Sequence, residues 1–270
     1  MKCNVCFHEC RLEEGQIGLC RTRYNKNGVS TSYNYGCITS LALDPIEKKP
    51  LYHYFPGNYI ISVGSFGCNL ACPFCQNATI SMVSKETARY QYLSANELAK
   101  IVLEHDDSIG IAFTYNEPLI SYEYIKDVAK LIKPFHKKVI VVSNGCIKDE
   151  ILKQLLPYID EANIDLKGND AFYKEIGGCL KDVKNTIQTF VEYGIHVEVT
   201  TLVIPTKNDS IAFIEDVSKW LSLLDDDIVL HLSRYFPMYH STIQVTPIDT
   251  LYTLQKVAKK YLKNVYVGNV

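Results

Sequence analysis

The 270-residue sequence lacks a long apolar run, a strong excess of charge of either sign, and the start expected of an exported protein. No apolar run reaches the roughly 18 residues that a membrane-spanning helix needs, and the first residues do not form a signal peptide. The net charge is only −2, so it does not indicate a nucleic acid or an anionic membrane as a partner. These absences predict a cytoplasmic protein that binds neither.

The sequence also lacks internal repeats and low-complexity linkers. Its length fits one large domain, or one domain with an appendage, and a hydrophobic content of 47% supports a sizeable core.

Cysteine, in contrast, is abundant: the chain has ten, and three of them lie close together at Cys68, Cys72 and Cys75. In a cytosolic chain of this length, cysteines are more often ligands or catalytic groups than disulfide partners. The three form a C-x3-C-x2-C loop that follows an apolar run, 59–63, and contains glycines typical of a turn. Thiolates are soft ligands that suit zinc or iron–sulfur clusters.

Three thiols on one loop are one ligand short of a closed metal site. A structural zinc ion, like an ordinary cubane cluster, takes four protein ligands. The trio therefore indicates a cluster with one iron left open for a cofactor or substrate. Three alternatives are a zinc knuckle with a distant fourth ligand, a redox or disulfide trio, and unrelated buried thiols.

A second group of cysteines occupies the first twenty residues, at Cys3, Cys6, Cys10 and Cys20. So short a stretch cannot form a core of its own, and a bound metal is the simplest way to order it. The first pair has zinc-knuckle spacing, and four cysteines complete a tetrahedron, which favours structural zinc. An auxiliary iron–sulfur cluster on the first three cysteines, or unligated thiols, are the alternatives.

From residue 59 onward, short apolar runs alternate with helical patterns. Such alternation predicts parallel strands joined by right-handed crossovers. The predicted strands cover residues 59–63, 109–114, 138–142, 162–166, 195–201, 228–232 and 265–267. A full eight-unit barrel takes about 250 residues, so we expect an α/β fold with a partial, (β/α)6, TIM-like barrel. The barrel, 59–270, would follow a small Cys-rich metal-binding extension, 1–28, and a bridging segment, 29–58.

Polar side chains follow successive predicted strands at the point where each strand ends. In a β/α barrel the reacting groups come from these C-terminal strand ends, so the side chains would point into one mouth. One polar residue at the end of a strand would be explained by ordinary capping or solvation. Polar residues after several successive strands instead favour a shared site. They are Asn116, Glu117, Ser143, Asn144, Asp165, Lys167, Thr201, His231 and Arg234.

The loop 67–75, Gly-Cys-Asn-Leu-Ala-Cys-Pro-Phe-Cys, resembles the signature of the radical S-adenosylmethionine (SAM) superfamily, in which an aromatic residue such as Phe74 is usual. Residues 44–53, Asp-Pro-Ile-Glu-Lys-Lys-Pro-Leu-Tyr-His, resemble one subgroup, the radical SAM enzymes of the AmmeMemoRadiSam system. These are similar to pyruvate formate-lyase activating enzymes, and their name records an association with two small proteins, Ammecr and Memo. The resemblance implies a partial barrel and a [4Fe-4S] cluster on the three cysteines. The cluster would cleave SAM reductively to a 5′-deoxyadenosyl radical that abstracts hydrogen from a substrate.

The resemblance also implies roles for residues at the strand ends. Glu117, in Tyr-Asn-Glu-Pro, would accept a hydrogen bond from the SAM ammonium. Asp165 and Lys167 match an Asp-x-Lys element near the SAM ribose and carboxylate. Ser143 and Asn144 match a Ser/Thr-Asn-Gly element whose hydroxyl and amide groups contact the SAM ribose or carboxylate.

Four further residues, Phe74, Asn116, Thr201 and Arg234, complete the predicted SAM site. The sequence departs from the activating enzymes in one place, because Phe236 stands where they have a histidine that contacts SAM. That role is therefore not assigned to a histidine here, and His231 is interpreted equally well as a packed core residue.

The sequence thus predicts a radical SAM enzyme that receives electrons from a separate donor and acts on an unidentified substrate. The resemblance implies a macromolecular substrate, such as a glycyl radical enzyme or one of the Ammecr- or Memo-type proteins, while a small molecule is equally open. The alternatives are a glycyl-radical-enzyme activase in the narrow sense, and a non-enzymatic iron–sulfur or zinc scaffold or electron carrier. A carrier would use four cysteines per cluster and would not need the polar strand ends.

Overall fold

The computed structural model describes all 270 residues. Its strands are β1 (Arg23–Lys26), β2 (Val29–Ser32), β3 (Cys37–Ile38), β4 (Ser40–Pro45), β5 (Tyr59–Gly64), β6 (Gln91–Tyr92), β7 (Ser108–Phe113), β8 (Lys138–Ser143), β9 (Glu161–Asp165), β10 (His196–Val203), β11 (Val229–Arg234) and β12 (Val265–Gly268). Its α-helices are α1 (Ala78–Ser81), α2 (Ala95–Glu104), α3 (Tyr122–Ile132), α4 (Asp149–Leu155), α5 (Asp170–Glu175), α6 (Leu180–Tyr193), α7 (Ile211–Leu224) and α8 (Ile248–Ala258). Three 3-10 helices cover Ile46–Lys48, Pro118–Ser121 and Lys133–Phe135.

Eight strands form one sheet in the order β12-β11-β10-β9-β8-β7-β5-β4. Seven strands of this sheet, β5 and β7 to β12, pair in parallel, whereas β4 runs antiparallel to β5. The sheet is open, because β4 and β12 lie at its two edges. Six β–α units run from β5 to α8 and one last strand follows, so the prediction of a partial barrel is confirmed. No helix is both long and apolar enough to cross a membrane.

The strands formed where the sequence predicted them because their apolar runs are buried on both faces, as parallel strands require. Ile111, Val139 and Ile164 on three neighbouring strands are fully buried. Helix α2 begins with a capping box, in which Glu97 N donates to Ser94 Oγ at 3.3 Å and Ser94 N donates to Glu97 Oε2 at 2.7 Å.

Several elements were missed in the sequence, among them α5 and β4. Helix α5 begins where Asn169 Oδ1 accepts a hydrogen bond from Phe172 N at 3.0 Å. Strand β4 lies in the bridging segment, 29–58, for which no strand was predicted at these residues. It tolerates Pro45 because that proline is the last residue of an edge strand, where no further ladder hydrogen bond is required.

After β4, the bridging segment packs against the inner face of the barrel. Ile46 and Leu51 are fully buried and contact Ile60, Ala112 and Ile140 on three adjacent strands. The segment therefore fills the end of the barrel at which the parallel strands begin.

The N-terminal extension is anchored by a buried arginine. The β1–β2 hairpin includes the predicted boundary at residue 28, and Arg23 in β1 is 2% exposed. Its Nη1 lies 2.8 Å from both carboxylate oxygens of Glu123 on α3, and its Nη2 donates to Ser30 O at 2.6 Å. This ion pair joins the extension to the barrel, as does a second ion pair between Glu9 and Lys148.

We expect Glu123→Gln to lower the free energy of unfolding by about 2–3 kcal/mol, because it leaves the buried Arg23 guanidinium without its counter-charge. Denaturant unfolding measures this loss. Glu104→Gln is the matched control, since Glu104 forms an exposed 3.7 Å ion pair with Lys100. That variant should change stability by less than about 0.5 kcal/mol. Equal losses in the two variants would contradict the anchoring role.

Candidate active site

The cysteine loop follows β5 and packs directly against the N-terminal extension. Gly67 has φ +85°, in the left-handed region that favours glycine. A Cβ there would collide with the Thr22 methyl group and stand 2.7 Å from the Cys20 carbonyl oxygen. Gly67 therefore allows the two cysteine-bearing segments to touch.

Hydrogen-bond donors surround the loop sulfurs. Cys68 Sγ accepts from Leu70 N at 3.4 Å and from Asn144 Nδ2 at 3.6 Å, and Cys75 Sγ lies 3.0 Å from Ser81 Oγ. Burial raises the pKa of the Cys68 thiol well above its ordinary value and that of Cys72 to about 11. Donors aimed at sulfur stabilise the thiolate form once a metal replaces the proton.

The loop cysteines are not arranged as the ligands of a single tetrahedral ion. No three of the chain's cysteine sulfurs lie within 4.8 Å of one another. A tetrahedral zinc ion with bonds of about 2.3 Å holds its sulfurs about 3.8 Å apart. The thiols of Cys68, Cys72 and Cys75 are therefore spaced more widely than three ligands of one zinc ion.

Glu117 joins the ends of β7 and β8. Its Oε1 accepts hydrogen bonds from Ser143 Oγ at 2.7 Å and Leu119 N at 3.0 Å, and its Oε2 accepts from Asn144 N at 2.8 Å. Burial raises the pKa of this carboxyl to about 7, although the three donors oppose the shift. The structure thus brings together Glu117, Ser143 and Asn144, as the sequence predicted for one mouth.

Asn144 extends this network to the cysteine loop through a residue that the sequence analysis missed. Its Nδ2 donates to Asn69 Oδ1 at 2.9 Å, and Asn69 Nδ2 donates to the Cys146 carbonyl oxygen at 2.7 Å. Asn69 lies inside the cysteine motif at a position that carries no ligand. Only the meeting of the two loops shows its role.

Asn116 holds the cysteine loop from the other side. Its Oδ1 accepts from Ser65 N at 3.0 Å, and its Nδ2 donates to the carbonyl oxygens of Gly67 and Phe66 at 3.1 and 3.3 Å. The side chain is therefore engaged with the loop backbone, and its predicted contact with SAM stays a prediction.

Asp165 and Lys167 form an ion pair at the end of β9. Lys167 Nζ lies 2.7 Å from Asp165 Oδ2, as alternation along a strand predicted. Burial opposes the ammonium, but the Asp165 carboxylate raises the pKa of Lys167 above its ordinary value. Lys167 in turn counteracts the effect of burial on the pKa of Cys72. Tyr173, a second missed residue, bridges the backbone here: its hydroxyl lies 3.1 Å from Asp165 O and 3.0 Å from Lys167 N.

Three further predicted residues are engaged with the protein itself. Phe74 stacks on Phe172 with ring centroids 5.8 Å apart. Thr201 is fully buried and donates to Leu166 O at 2.9 Å, and Arg234 Nε donates to Thr246 O at 2.8 Å. Their roles in cofactor binding stay predictions.

The N-terminal cysteines lie beside this site. Burial raises the pKa of Cys6 to about 12, and Cys20 Sγ accepts hydrogen bonds from Arg23 N at 3.3 Å and Thr22 Oγ1 at 3.4 Å. Since no three sulfurs meet within 4.8 Å, neither zinc nor an auxiliary cluster is favoured by their spacing. The identity of a metal at Cys3, Cys6, Cys10 and Cys20 stays a prediction.

This geometry agrees with a known family. A family model described as the radical SAM superfamily matches residues 62–217, which include the cysteine loop and the strand ends from β7 to β10. The chain belongs to this superfamily and is a radical SAM enzyme that uses a [4Fe-4S] cluster and SAM.

Three proteins from Methanocaldococcus jannaschii are similar to this chain in sequence. An uncharacterized protein is 37% identical over 100% of this chain and 81% of its own. A 7-carboxy-7-deazaguanine synthase is 24% identical over 77% of this chain and 87% of its own. A protein provisionally named a glycyl-radical enzyme activating enzyme is 26% identical over 76% of this chain and 87% of its own.

Among solved structures, a radical SAM methyltransferase from Sphaerobacter thermophilus matches with a TM-score of 0.62. The match covers 79% of this chain and 67% of that one at 15% identity, so it supports the fold alone.

We expect Glu117→Gln to weaken SAM binding while the iron content is retained, because the amide keeps the size of the side chain but loses its negative charge. Glu117→Ala should in addition lower the free energy of unfolding by about 3 kcal/mol, since three donors lose their acceptor. Calorimetric SAM titration, iron analysis and denaturant unfolding measure these effects. Iron loss in the Gln variant would show that Glu117 only holds the structure together.

Proposed function

We propose that this protein is a radical SAM enzyme of the AmmeMemoRadiSam type that abstracts hydrogen from a protein substrate. The observation that carries the proposal is the position of three thiols, one buried and two half-buried, beside the linked side chains of Glu117, Ser143 and Asn144. The resemblance of residues 44–53 supports the subgroup. The similarity to a glycyl-radical enzyme activating enzyme supports a protein as the substrate.

Different residues would bind the cluster and SAM. Cys68, Cys72 and Cys75 would hold three irons of the cluster, and the fourth iron would stay open. Glu117 would accept a hydrogen bond from the SAM ammonium, and Lys167 would neutralise the SAM carboxylate. The chemistry that the cluster and SAM supply when bound is one-electron cleavage of SAM followed by hydrogen abstraction. The electron would come from a separate donor.

The surface beside the cysteine loop supports a protein substrate. After β11, the side chains of Phe236, Met238 and Tyr239 are 42%, 44% and 50% exposed. This segment is held against the loop by a hydrogen bond from His240 N to Pro73 O at 2.8 Å. Exposed aromatic residues and methionine are enriched where proteins bind one another. A polypeptide bound there would lie next to the cluster.

We expect anaerobic protein with dithionite and SAM to release 5′-deoxyadenosine, and Cys72→Ala to abolish both this release and the cluster absorbance. Cys37→Ser is the matched control. Cys37 is also buried, but its thiol only contacts the Tyr33 and Tyr35 carbonyl oxygens at 3.8 and 3.9 Å, which a hydroxyl can replace. Cleavage that survives in the Cys72 variant would refute the assignment of the cluster.

We expect 5′-deoxyadenosine to gain deuterium when the reaction contains a uniformly deuterated Ammecr- or Memo-type partner. Tyr239→Ser should raise the KM for that partner at least fivefold and leave SAM cleavage without partner unchanged. Tyr193→Ser is the control, because Tyr193 is 54% exposed at the end of α6, where β10 begins. No deuterium transfer from either partner would contradict these substrates and would favour a small molecule instead.

A further inference from the structure

A second polar cluster lies at the opposite end of the barrel. Glu161 and His196 begin β9 and β10, and Glu198 is two residues further along β10. One ligand atom of each lies within 4.8 Å of those of the other two. Along β9, Glu161 and Asp165 are four residues apart, which is about 13 Å in a strand. The cluster is therefore separate from the SAM site.

Glu161 is an unusual residue in this cluster because it is buried without a partner. Its side chain is 0% exposed, and neither carboxylate oxygen has a hydrogen-bond partner. Leaving a buried polar group unpaired is costly, and a buried unpaired charge costs more. Burial, with Glu198 nearby, raises the pKa of this carboxyl to about 10.

Glu198 is in the opposite situation, because protein donors hold both of its carboxylate oxygens in place. Its Oε1 accepts from Tyr52 N at 2.9 Å and His53 N at 2.8 Å, and its Oε2 lies 2.6 Å from His231 Nε2. Although burial acts against it, these contacts and His196 lower the pKa of Glu198 to about 2. The cluster thus holds one fixed negative charge beside one carboxyl that needs a cation.

We propose that Glu161, His196 and Glu198 bind a divalent transition-metal ion. Two carboxylates and an imidazole suit Zn²⁺ and related ions. A tetrahedral ion with bonds of about 2.1 Å holds its ligands about 3.4 Å apart. His196 Nε2 lies 3.3 Å from Glu198 Oε1 and 3.8 Å from Glu161 Oε1.

The surroundings provide both access and support for such an ion. His196 is about one-third exposed, so an ion can enter from solvent at its side. His231 contacts Glu198 from the interior and would orient this ligand, as residues behind metal ligands commonly do. Glu198 also accepts hydrogen bonds from the backbone N–H groups of Tyr52 and His53. The ion would therefore link the bridging segment to the sheet.

The position of zinc in anaerobic crystals of the intact holoprotein tests the proposal. We expect an anomalous difference peak, present above the zinc edge and absent below it, between Glu161 and Glu198. In solution, the wild-type protein should bind one more equivalent of Zn²⁺ than Glu161→Gln or His196→Ala. Asp226→Asn, in the exposed acidic group at 225–227, is the control and should bind as much as wild type.

Thermal unfolding separates the metal site from a simple protonated carboxyl. With a metal site, Zn²⁺ raises the Tm of the wild-type protein by several degrees and that of Glu161→Gln by none. A neutral carboxyl predicts instead that Glu161→Gln keeps or raises the Tm and that Zn²⁺ acts equally on both proteins. That result, or crystals without the zinc peak, would overturn the proposal. Neither readout depends on SAM cleavage.

Discussion

The site depends on one buried carboxylate. Glu117 receives three hydrogen bonds from two loops, and Asn144, which it positions, donates to both Cys68 Sγ and Asn69 Oδ1. A buried carboxylate is tolerated only when its oxygens are satisfied, so the loops that follow β7 and β8 can hardly move independently. The same contacts place hydrogen-bond donors on the loop that would carry the cluster. The hydrogen bonds of Glu117 and Asn144 therefore hold the site residues together and also join the loops of the fold.

The barrel has two polar ends with different chemistry. At the end where the parallel strands stop, the cysteine loop lies beside Glu117, Asp165 and Lys167. At the end where they start, oxygen and nitrogen groups surround Glu161 beneath the bridging segment. At this second end, Ile46 and Leu51 of the bridging segment pack against Ile60, Ala112 and Ile140 of the sheet.

Much of the fold and part of the site could be predicted from the sequence. Short apolar runs identify the buried strands. The polar residues that follow these strands lie at one end of the barrel, because parallel strands all end on the same side of the sheet. Glu117, Ser143 and Asn144 were found in this way. Asn69 and Tyr173 were not, since their contacts depend on how separate loops meet. The Glu161 cluster was missed for a related reason: Glu161 and His196 begin strands, where polar residues usually face water, and the contact of the bridging segment with Glu198 is not visible in the sequence.

The contact at Gly67 has a consequence for how the two cysteine-bearing segments pack. The backbone of Cys20 and the methyl group of Thr22 occupy the space that any side chain at position 67 would need. Each of the two cysteine-bearing segments therefore forms part of the surface against which the other packs. An iron–sulfur centre on the loop would share that packing with the N-terminal extension, so a substitution in either segment can disturb the other.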